Sequence, residues 1–142
     1  MQASDAPPTT LTVEIGADII CPWCGLGEHR FEAALQQFVH RGHVEVIHRS
    51  FQLDPTLPLG ETATVRDHLS RKLRMGEGEA ATNRIEAMTR NIETMAANEG
   101  LQPYHVFENQ TGHTSLAHEL LAYASTQGRH AEAWKHVSRA YF

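Results

Sequence analysis

The amino-acid sequence predicts an α/β fold, in which one strand-helix-strand unit is followed by a mainly helical region. An alternating apolar pattern in residues 11–19 is typical of a strand. A helical stripe then begins at Pro22, and residues 43–51 are rich in residues that favour strands. The segment between the strands is long enough for a right-handed crossover, so the two strands are expected to be parallel.

The first strand and the helix after it have recognisable boundaries. The apolar side of the strand consists of Leu11, Val13, Ile15, Ala17 and Ile19. Pro22 suits the first position of a helix, and Gly42 suits a position just past its end. The helix is therefore expected to run from Pro22 to shortly before Gly42, and residues 1–10, "MQASDAPPTT", are expected to form a flexible leader.

After the second strand the chain is predicted to form a loop and then four helices. The loop, residues 52–62, carries two prolines and a glycine. Each helix is recognised by an apolar stripe at helical spacing. The four stripes contain Val65, Leu69 and Leu73; Ile85, Met88, Ile92 and Met95; Leu116, Leu120, Leu121 and Ala124; and Trp134, Val137 and Tyr141. These elements predict a strand-helix-strand part over residues 11–55 and a helical part over residues 56–142.

Composition and charge argue against several classes of function. The chain of 142 residues has a formal net charge of -5, and its 12 Lys and Arg residues are scattered, so no basic surface is expected to bind nucleic acid. The leader has neither the basic start nor the apolar centre of a secretory signal. No segment approaches the roughly 20 apolar residues that a membrane-spanning helix needs. The sequence therefore predicts a cytoplasmic protein with neither nucleic acid nor a membrane as a partner.

The two cysteines of the chain, Cys21 and Cys24, lie where the first strand meets the helix. A thiolate at a helix N-terminus faces unbonded backbone N–H groups and the positive end of the helix dipole, both of which favour the charged form. Cys21 is therefore predicted to be an acidic, exposed nucleophile. Cys24, one turn later on the same face, is predicted to resolve a mixed disulfide formed at Cys21. Pro22 and Trp23 are expected to tune the redox potential of the pair. The disulfide between the two cysteines would be the redox-active group, so no separate cofactor is expected.

The cysteine spacing alone leaves two other interpretations open. The same spacing supplies two of the four ligands in many zinc sites, and two cysteines can also be inert packing residues. With no other cysteine, zinc would need histidines or carboxylates as its remaining ligands. Only His40 and His43 have a recognisable spacing on one helical face, and they lie at the far end of the cysteine helix, roughly 20 Å away. No metal site is therefore predicted, while a redox-sensing or zinc-binding module without turnover remains an alternative.

Three motifs occur in the same order as in a known family. They are "DIICPWCGLGEHRFE", "RSFQLDP" and "TSLAHELLAYA". Through them residues 11–142 resemble the DsbA-family thiol-disulfide oxidoreductases, most closely the cytosolic FrnE-like branch. The resemblance implies a thioredoxin-like fold with a helical domain inserted after the second strand. It also implies that Cys21 attacks and Cys24 resolves disulfides of protein or peptide partners, and that Phe51 and Pro55 lie near the active-site end, where they would contact substrate.

A related group of the same fold differs at the first cysteine. This group is similar to 2-hydroxychromene-2-carboxylate isomerase and the kappa-class glutathione transferases, and it typically has serine at the position of Cys21. The cysteine argues against that chemistry in this chain. Glutathione nevertheless remains a candidate redox partner.

The resemblance also implies a β-hairpin and a last helix beyond the helical domain, with a cis-proline that faces the cysteines. This sequence offers no counterpart, because its one proline after Gly100 is Pro103, which precedes a helix. The sheet is therefore expected to be incomplete in this chain, with an open edge on the first strand and an uncovered apolar stripe that ends at Tyr141 and Phe142. These features predict an inactive truncated fragment, a homodimer, or association with a missing C-terminal segment.

The remaining candidates are expected mostly to serve packing. His29 lies on the cysteine helix and is expected to be an ordinary exposed side chain, and Met75 could line a soft peptide groove. Core positions are expected for the residues that fall on apolar stripes, namely Met88, Met95, Trp134 and Tyr141. Three polar residues could instead reach the active site from the helical part: Asn109, His113 and His118.

Overall fold

A computed structural model describes residues 9–142 of the chain, so most of the predicted leader, residues 1–8, lies outside the described residues. The elements in chain order are β1 (Leu11–Ala17), α1 (Pro22–Gln37), β2 (Val44–Ser50), β3 (Thr62–Thr64), α2 (Val65–Lys72), α3 (Glu79–Asn98), β4 (Gln110–Gly112), α4 (Ser115–Thr126) and α5 (His130–Tyr141). No helix in this part of the chain is both long enough and apolar enough to cross a membrane.

Strands β1 and β2 form the predicted parallel pair. Their register runs from Leu11 opposite Val44 to Ala17 opposite Ser50. The backbone N–H of Phe51 donates to the carbonyl oxygen of Ala17 at 3.1 Å, which extends the pairing by one residue. Over residues 9–142 the two strands pair only with each other. The α/β prediction and the strand-helix-strand unit are therefore confirmed.

Helix α1 begins at Pro22 as predicted, with Cys21 as its N-cap, but the predicted C-terminal end is wrong. The helix ends at Gln37, because Phe38 turns to an extended backbone at φ -76° and ψ 122°. A short 3-10 turn, Arg41–His43, then leads into β2, so Gly42 lies in this turn and does not cap the helix.

A second small sheet was not predicted. Strands β3 and β4 pair antiparallel, from Thr62 opposite Gly112 to Thr64 opposite Gln110. Three-residue strands are too short to show an alternating pattern, so the sequence offers no signal for them. Thr64 also caps α2, since its hydroxyl oxygen accepts the backbone N–H of Asp67 at 3.0 Å. The segment predicted as loop therefore remains irregular only up to Glu61.

The core consists of two clusters, one that includes a residue of the cysteine helix and one that includes the end of the strand before it. The first contains Leu26, Ile92, Ala96, Tyr104, Val106 and Phe142. The second contains Ala17, Ile19, Leu121 and Trp134. Helix α1 therefore packs on α3, and the end of β1 packs on α4 and α5.

The apolar stripe of α5 is covered, contrary to the expectation that it would end exposed. Phe142 is 5% exposed, and its ring stacks on that of Tyr104 with centroids 4.4 Å apart. The Tyr141 hydroxyl donates to the carbonyl oxygen of Gln110 at 2.8 Å. Trp134 is buried as predicted. The chain's own segment after α3 supplies this cover, a long-range contact that a stripe on one helix does not indicate.

The stripes of the other helices were predicted too broadly. Four residues of these stripes have about half or more of their surface exposed: Leu73, Met88, Leu116 and Leu120. Helix α3 instead turns Ile85, Ile92 and Ala96 inward, with Met95 at the edge of the core. When apolar residues occur on both sides of a helix, the sequence alone does not predict which side is buried.

We predict that Ile85→Ala and Met88→Ala have very different effects on stability, although the sequence pattern gives them the same role. Ile85 is fully buried, so its truncation should lower the free energy of unfolding by about 2–5 kcal/mol. Met88 is 48% exposed, so its truncation should cost less than about 1 kcal/mol. Urea denaturation of the two variants beside the parent chain measures both values. Equal losses would contradict the observed orientation of α3.

Candidate active site

The two cysteines lie at the carboxyl end of β1, where the chain turns into α1. Ala17 and Ile19 are buried against α4 and α5, which fixes the end of the strand. The backbone N–H of Cys21 donates to the carbonyl oxygen of Asp18 at 3.1 Å. This turn places Cys21 at the N-cap position and Pro22 at the first position of the helix.

The first turn of α1 brings the two cysteines together. The backbone N–H groups of Cys24 and Gly25 donate to the carbonyl oxygen of Cys21 at 3.0 and 3.2 Å. Cys21 and Cys24 lie 3.1 Å apart, and both are free, half-buried thiols. The predicted Cys21 is therefore less exposed than expected, although it is within reach of its partner.

The environment gives the two thiols opposite character. The hydrogen bond from the Cys24 thiol lowers the pKa of Cys21 to about 6, and the backbone N–H groups of Cys24 and Trp23 act in the same direction. The hydrogen bond to Cys21 and burial raise the pKa of Cys24, because its proton is the one that stabilises the neighbouring thiolate. At neutral pH the pair therefore consists of a Cys21 thiolate and a Cys24 thiol.

A buried carboxylate, Asp18, lies directly before the cysteines and was not predicted as a site residue. Its side chain is fully buried; Oδ2 accepts the backbone N–H of Leu53 at 2.7 Å, and Oδ1 lies 3.1 Å from Nε2 of His118. Its negative charge raises the pKa of both thiols. Of the three polar residues considered for the site, His118 is thus the one that the structure places beside the cysteine turn.

The other two polar candidates, Asn109 and His113, form hydrogen bonds with backbone groups outside the cysteine turn. The Asn109 side chain donates to the carbonyl oxygens of His105 and Tyr141, at 2.7 and 2.8 Å. His113 Nδ1 accepts the backbone N–H of Ser115 at 3.3 Å, at the start of α4. His29 turns toward α3, with Nε2 3.1 Å from the carbonyl oxygen of Glu99.

Exposed apolar residues follow β2 at the end of the sheet from which α1 begins. Trp23 is 53% exposed, and Phe51, which follows β2 directly, is 55% exposed. Leu53 is also exposed, and Lys72 of α2 donates to its carbonyl oxygen at 3.0 Å. Pro55 lies further along the same segment and is exposed. The structure therefore brings Phe51 and Trp23 to the end of the sheet that carries Cys21.

The described residues contain no group of three or more metal-ligating side chains that could hold an ion. The rings of His40 and His43 lie 6.5 Å apart at the opposite end of α1 from the cysteines.

Two residues near the cysteines were missed by sequence reasoning. Asp18 did carry a signal, because an acidic residue inside an apolar run is informative when that run is predicted to be buried. Tyr104, whose hydroxyl donates to the carbonyl oxygen of Pro22 at 2.6 Å, carried none. Its contact spans 82 positions of the chain and joins segments that share no local pattern.

Comparisons with known proteins identify similar sequences and folds. The family model described as a DSBA-like thioredoxin domain matches residues 12–142. The crystal structure of a probable DsbA oxidoreductase from Streptomyces coelicolor is similar to the chain, with 39% sequence identity and a TM-score of 0.80. The match covers 93% of this chain and 54% of the relative, so the chain spans about half of the relative's length. No curated protein matches the chain.

We predict that reduced protein titrates a thiolate with a midpoint near pH 6, read from its ultraviolet absorbance and from iodoacetamide labelling at Cys21. Cys24→Ala should raise the midpoint toward the ordinary thiol value of about 8.5, because the donor thiol is lost.

The same shift has a consequence for stability. The folded-state pKa of Cys21 is lower than the unfolded one, so its contribution is complete above about pH 8.5 and is lost as the pH falls through about 6. Cys21→Ser provides the control, since it should abolish the transition. A parent midpoint above pH 8 would contradict the assignment of Cys21 as the thiolate.

Proposed function

The chain belongs to the family of DSBA-like thioredoxin domains, and we propose that it acts as a dithiol-disulfide oxidoreductase on protein or peptide disulfides through its CPWC motif. The observation that carries this proposal is the pairing of a Cys21 thiolate with a Cys24 thiol at the N-terminus of α1. Both cysteines are within reach of each other and neither is fully buried.

The proposed reaction exchanges one disulfide for another. In the oxidised protein, a substrate thiolate attacks Sγ of Cys21, forms a mixed disulfide and releases Cys24, whose thiolate takes up a proton. A second substrate thiolate then attacks the substrate sulfur of the mixed disulfide and releases the Cys21 thiolate. Two electrons thereby pass from the substrate dithiol to the cysteine pair. The reverse sequence reduces a substrate disulfide.

The geometry supports Cys21 as the sulfur that substrates contact. A thiolate of low pKa is the better leaving group, so a mixed disulfide at Cys21 resolves faster than one at Cys24. Cys24 has the raised pKa and keeps its proton until Cys21 is engaged in a disulfide. The division into attacking and resolving thiols therefore follows from the first turn of α1.

The surface around Cys21 favours an apolar polypeptide segment as substrate. Trp23 and Phe51 expose more than half of their surface, and Leu53 is also exposed. Large exposed apolar side chains beside a reactive group are typical of a binding surface. Phe51 and Pro55 are accordingly proposed as substrate contacts, and the three sequence motifs support assignment to the FrnE-like branch.

We predict that Cys24→Ser traps a mixed disulfide at Cys21 when the protein is mixed with a disulfide-containing peptide or with oxidised glutathione. The resolving thiol is absent in this variant, so the adduct should accumulate. Cys21→Ser should trap much less at neutral pH, because burial and the Asp18 charge still raise the pKa of Cys24 after its bond to Cys21 is lost. Mass spectrometry under non-reducing conditions identifies the modified residue. An adduct on Cys24 in the second variant, and none on Cys21 in the first, would reverse the proposed roles.

We predict that Phe51→Ser lowers kcat/KM for an apolar disulfide peptide about tenfold, the effect of losing roughly 1.4 kcal/mol of apolar contact. The thiolate titration of Cys21 and turnover of the small substrate glutathione disulfide should be unaffected. Val39→Ser is the matched control, since Val39 is 84% exposed beyond the opposite end of α1. Equal losses in both variants would remove Phe51 from the substrate surface.

A further inference from the structure

Tyr104 makes a contact at the active-site helix that the proposed reaction does not by itself explain. The residue lies between α3 and β4 and is only 8% exposed. Its hydroxyl donates to the carbonyl oxygen of Pro22 at 2.6 Å. A backbone carbonyl oxygen has two lone pairs, so Pro22 can accept this bond and a bond of the helix ladder at once.

The Pro22 carbonyl oxygen lies at the first position of an unbroken α-helix, Pro22–Gln37. In such a helix it also accepts the backbone N–H of the residue four positions later. The Tyr104 hydroxyl therefore adds a second donor to this carbonyl and leaves the helix ladder intact. The first turn of α1 that it contacts contains Trp23 and Cys24.

Gly25 provides a second, independent sign that the contact shapes this turn. A Cβ atom at this position would lie 2.5 Å from the Tyr104 hydroxyl oxygen, closer than Cβ atoms approach any neighbour in practice. Its next neighbours, Ser138 and Phe142, would lie at the tolerable distances of 3.4 and 3.5 Å. The residue after Cys24 is therefore restricted to glycine chiefly by the hydroxyl of Tyr104.

The ring of Tyr104 is held rigidly, so the hydroxyl has a fixed position. It stacks on Phe142, and both residues belong to the core cluster that also contains Leu26. The backbone N–H of His105 donates to the carbonyl oxygen of Phe142 at 2.7 Å, which ties the segment to the end of α5. Burial, followed by the nearby Cys21 charge, raises the pKa of Tyr104, so the hydroxyl keeps its proton throughout the working pH range.

We propose that Tyr104 is a positioning residue whose hydroxyl sets the geometry of the first turn of α1, and with it the placement of the Cys21 and Cys24 thiols. The backbone N–H groups of Cys24 and Trp23 stabilise the Cys21 thiolate, and both groups lie in the turn that the hydroxyl contacts. Without the hydroxyl, the Pro22 carbonyl loses the bond that ties this turn to the core, and the turn can shift. The relevance of this contact to catalysis rests on the proposed function.

The test compares Tyr104→Phe with Tyr141→Phe in the full chain. Tyr104→Phe keeps the stacked ring and removes the hydroxyl, so the thiolate midpoint of Cys21 should rise by roughly 0.5–1 pH unit. Tyr141→Phe also removes a hydroxyl from a side chain packed against the core, but that hydroxyl bonds to Gln110 of β4. It should leave the midpoint unchanged. A lower melting temperature for Tyr104→Phe with an unchanged midpoint would reduce Tyr104 to a packing residue and overturn the proposal.

A double-mutant cycle with Gly25→Ala tests the same contact from the helix side. In the parent chain, Gly25→Ala should lower the melting temperature and shift the Cys21 midpoint, because the new Cβ displaces the hydroxyl. In the Tyr104→Phe background the added loss should be much smaller, since the clashing oxygen is gone. Equal effects in both backgrounds, or an unchanged midpoint in the parent chain, would contradict the proposal. If Tyr104→Phe does not fold, the Cys21 midpoint of Gly25→Ala in the parent chain still tests the contact.

The thiolate titration needs no substrate, so it separates this inference from the proposed function. A midpoint that shifts in Tyr104→Phe, in a protein that turns over no disulfide, would leave the positioning role in place and refute the oxidoreductase. Turnover in the parent chain with an unchanged midpoint in Tyr104→Phe would support the oxidoreductase and refute the positioning role.

Discussion

The arrangement of the site depends on Asp18, a fully buried carboxylate at the end of β1. Its backbone carbonyl accepts the N–H of Cys21, which sets the turn into α1. Its side chain accepts the N–H of Leu53 and contacts His118 of α4. A buried carboxylate is stable only when its oxygens have partners, so these contacts require each other. One residue thereby joins the first strand, the segment after the second strand and the helical region.

Asp18 also opposes the chemistry that it helps to position. Its charge raises the pKa of Cys21, and partial burial of the thiol acts in the same direction. The Cys24 thiol and the backbone N–H groups of the first turn overcome both effects and bring the pKa to about 6. The thiolate is thus maintained by short-range hydrogen bonds against burial, the larger opposing effect, and against repulsion by the Asp18 charge. Such a balance is sensitive to the orientation of the donors, which explains why the geometry of a single helical turn matters at this site.

The sequence was sufficient for features that depend on neighbouring residues. The alternation before Cys21, the proline at the helix start and the spacing of the cysteines are local patterns, and the structure has the strand, the N-cap and the close thiols that they predict. The contacts of His118 and Tyr104 lie 100 and 82 positions from their partners, and no pattern in one segment specifies the other. The buried face of α3 was uncertain for a related reason, because Met88 and Ile85 are both apolar and only packing distinguishes them.

The helical region therefore contributes contacts to the candidate site. His118 completes the contacts of Asp18, Lys72 donates to the segment that carries Phe51 and Leu53, and Tyr104 donates to the first turn of α1. A strand-helix-strand unit alone would lack both the His118 partner of Asp18 and the α4 and α5 side chains that bury the end of β1. The same unit would leave the cysteine turn without its hydrogen bond from Tyr104. The acidity of Cys21 is consequently a property of the two regions together.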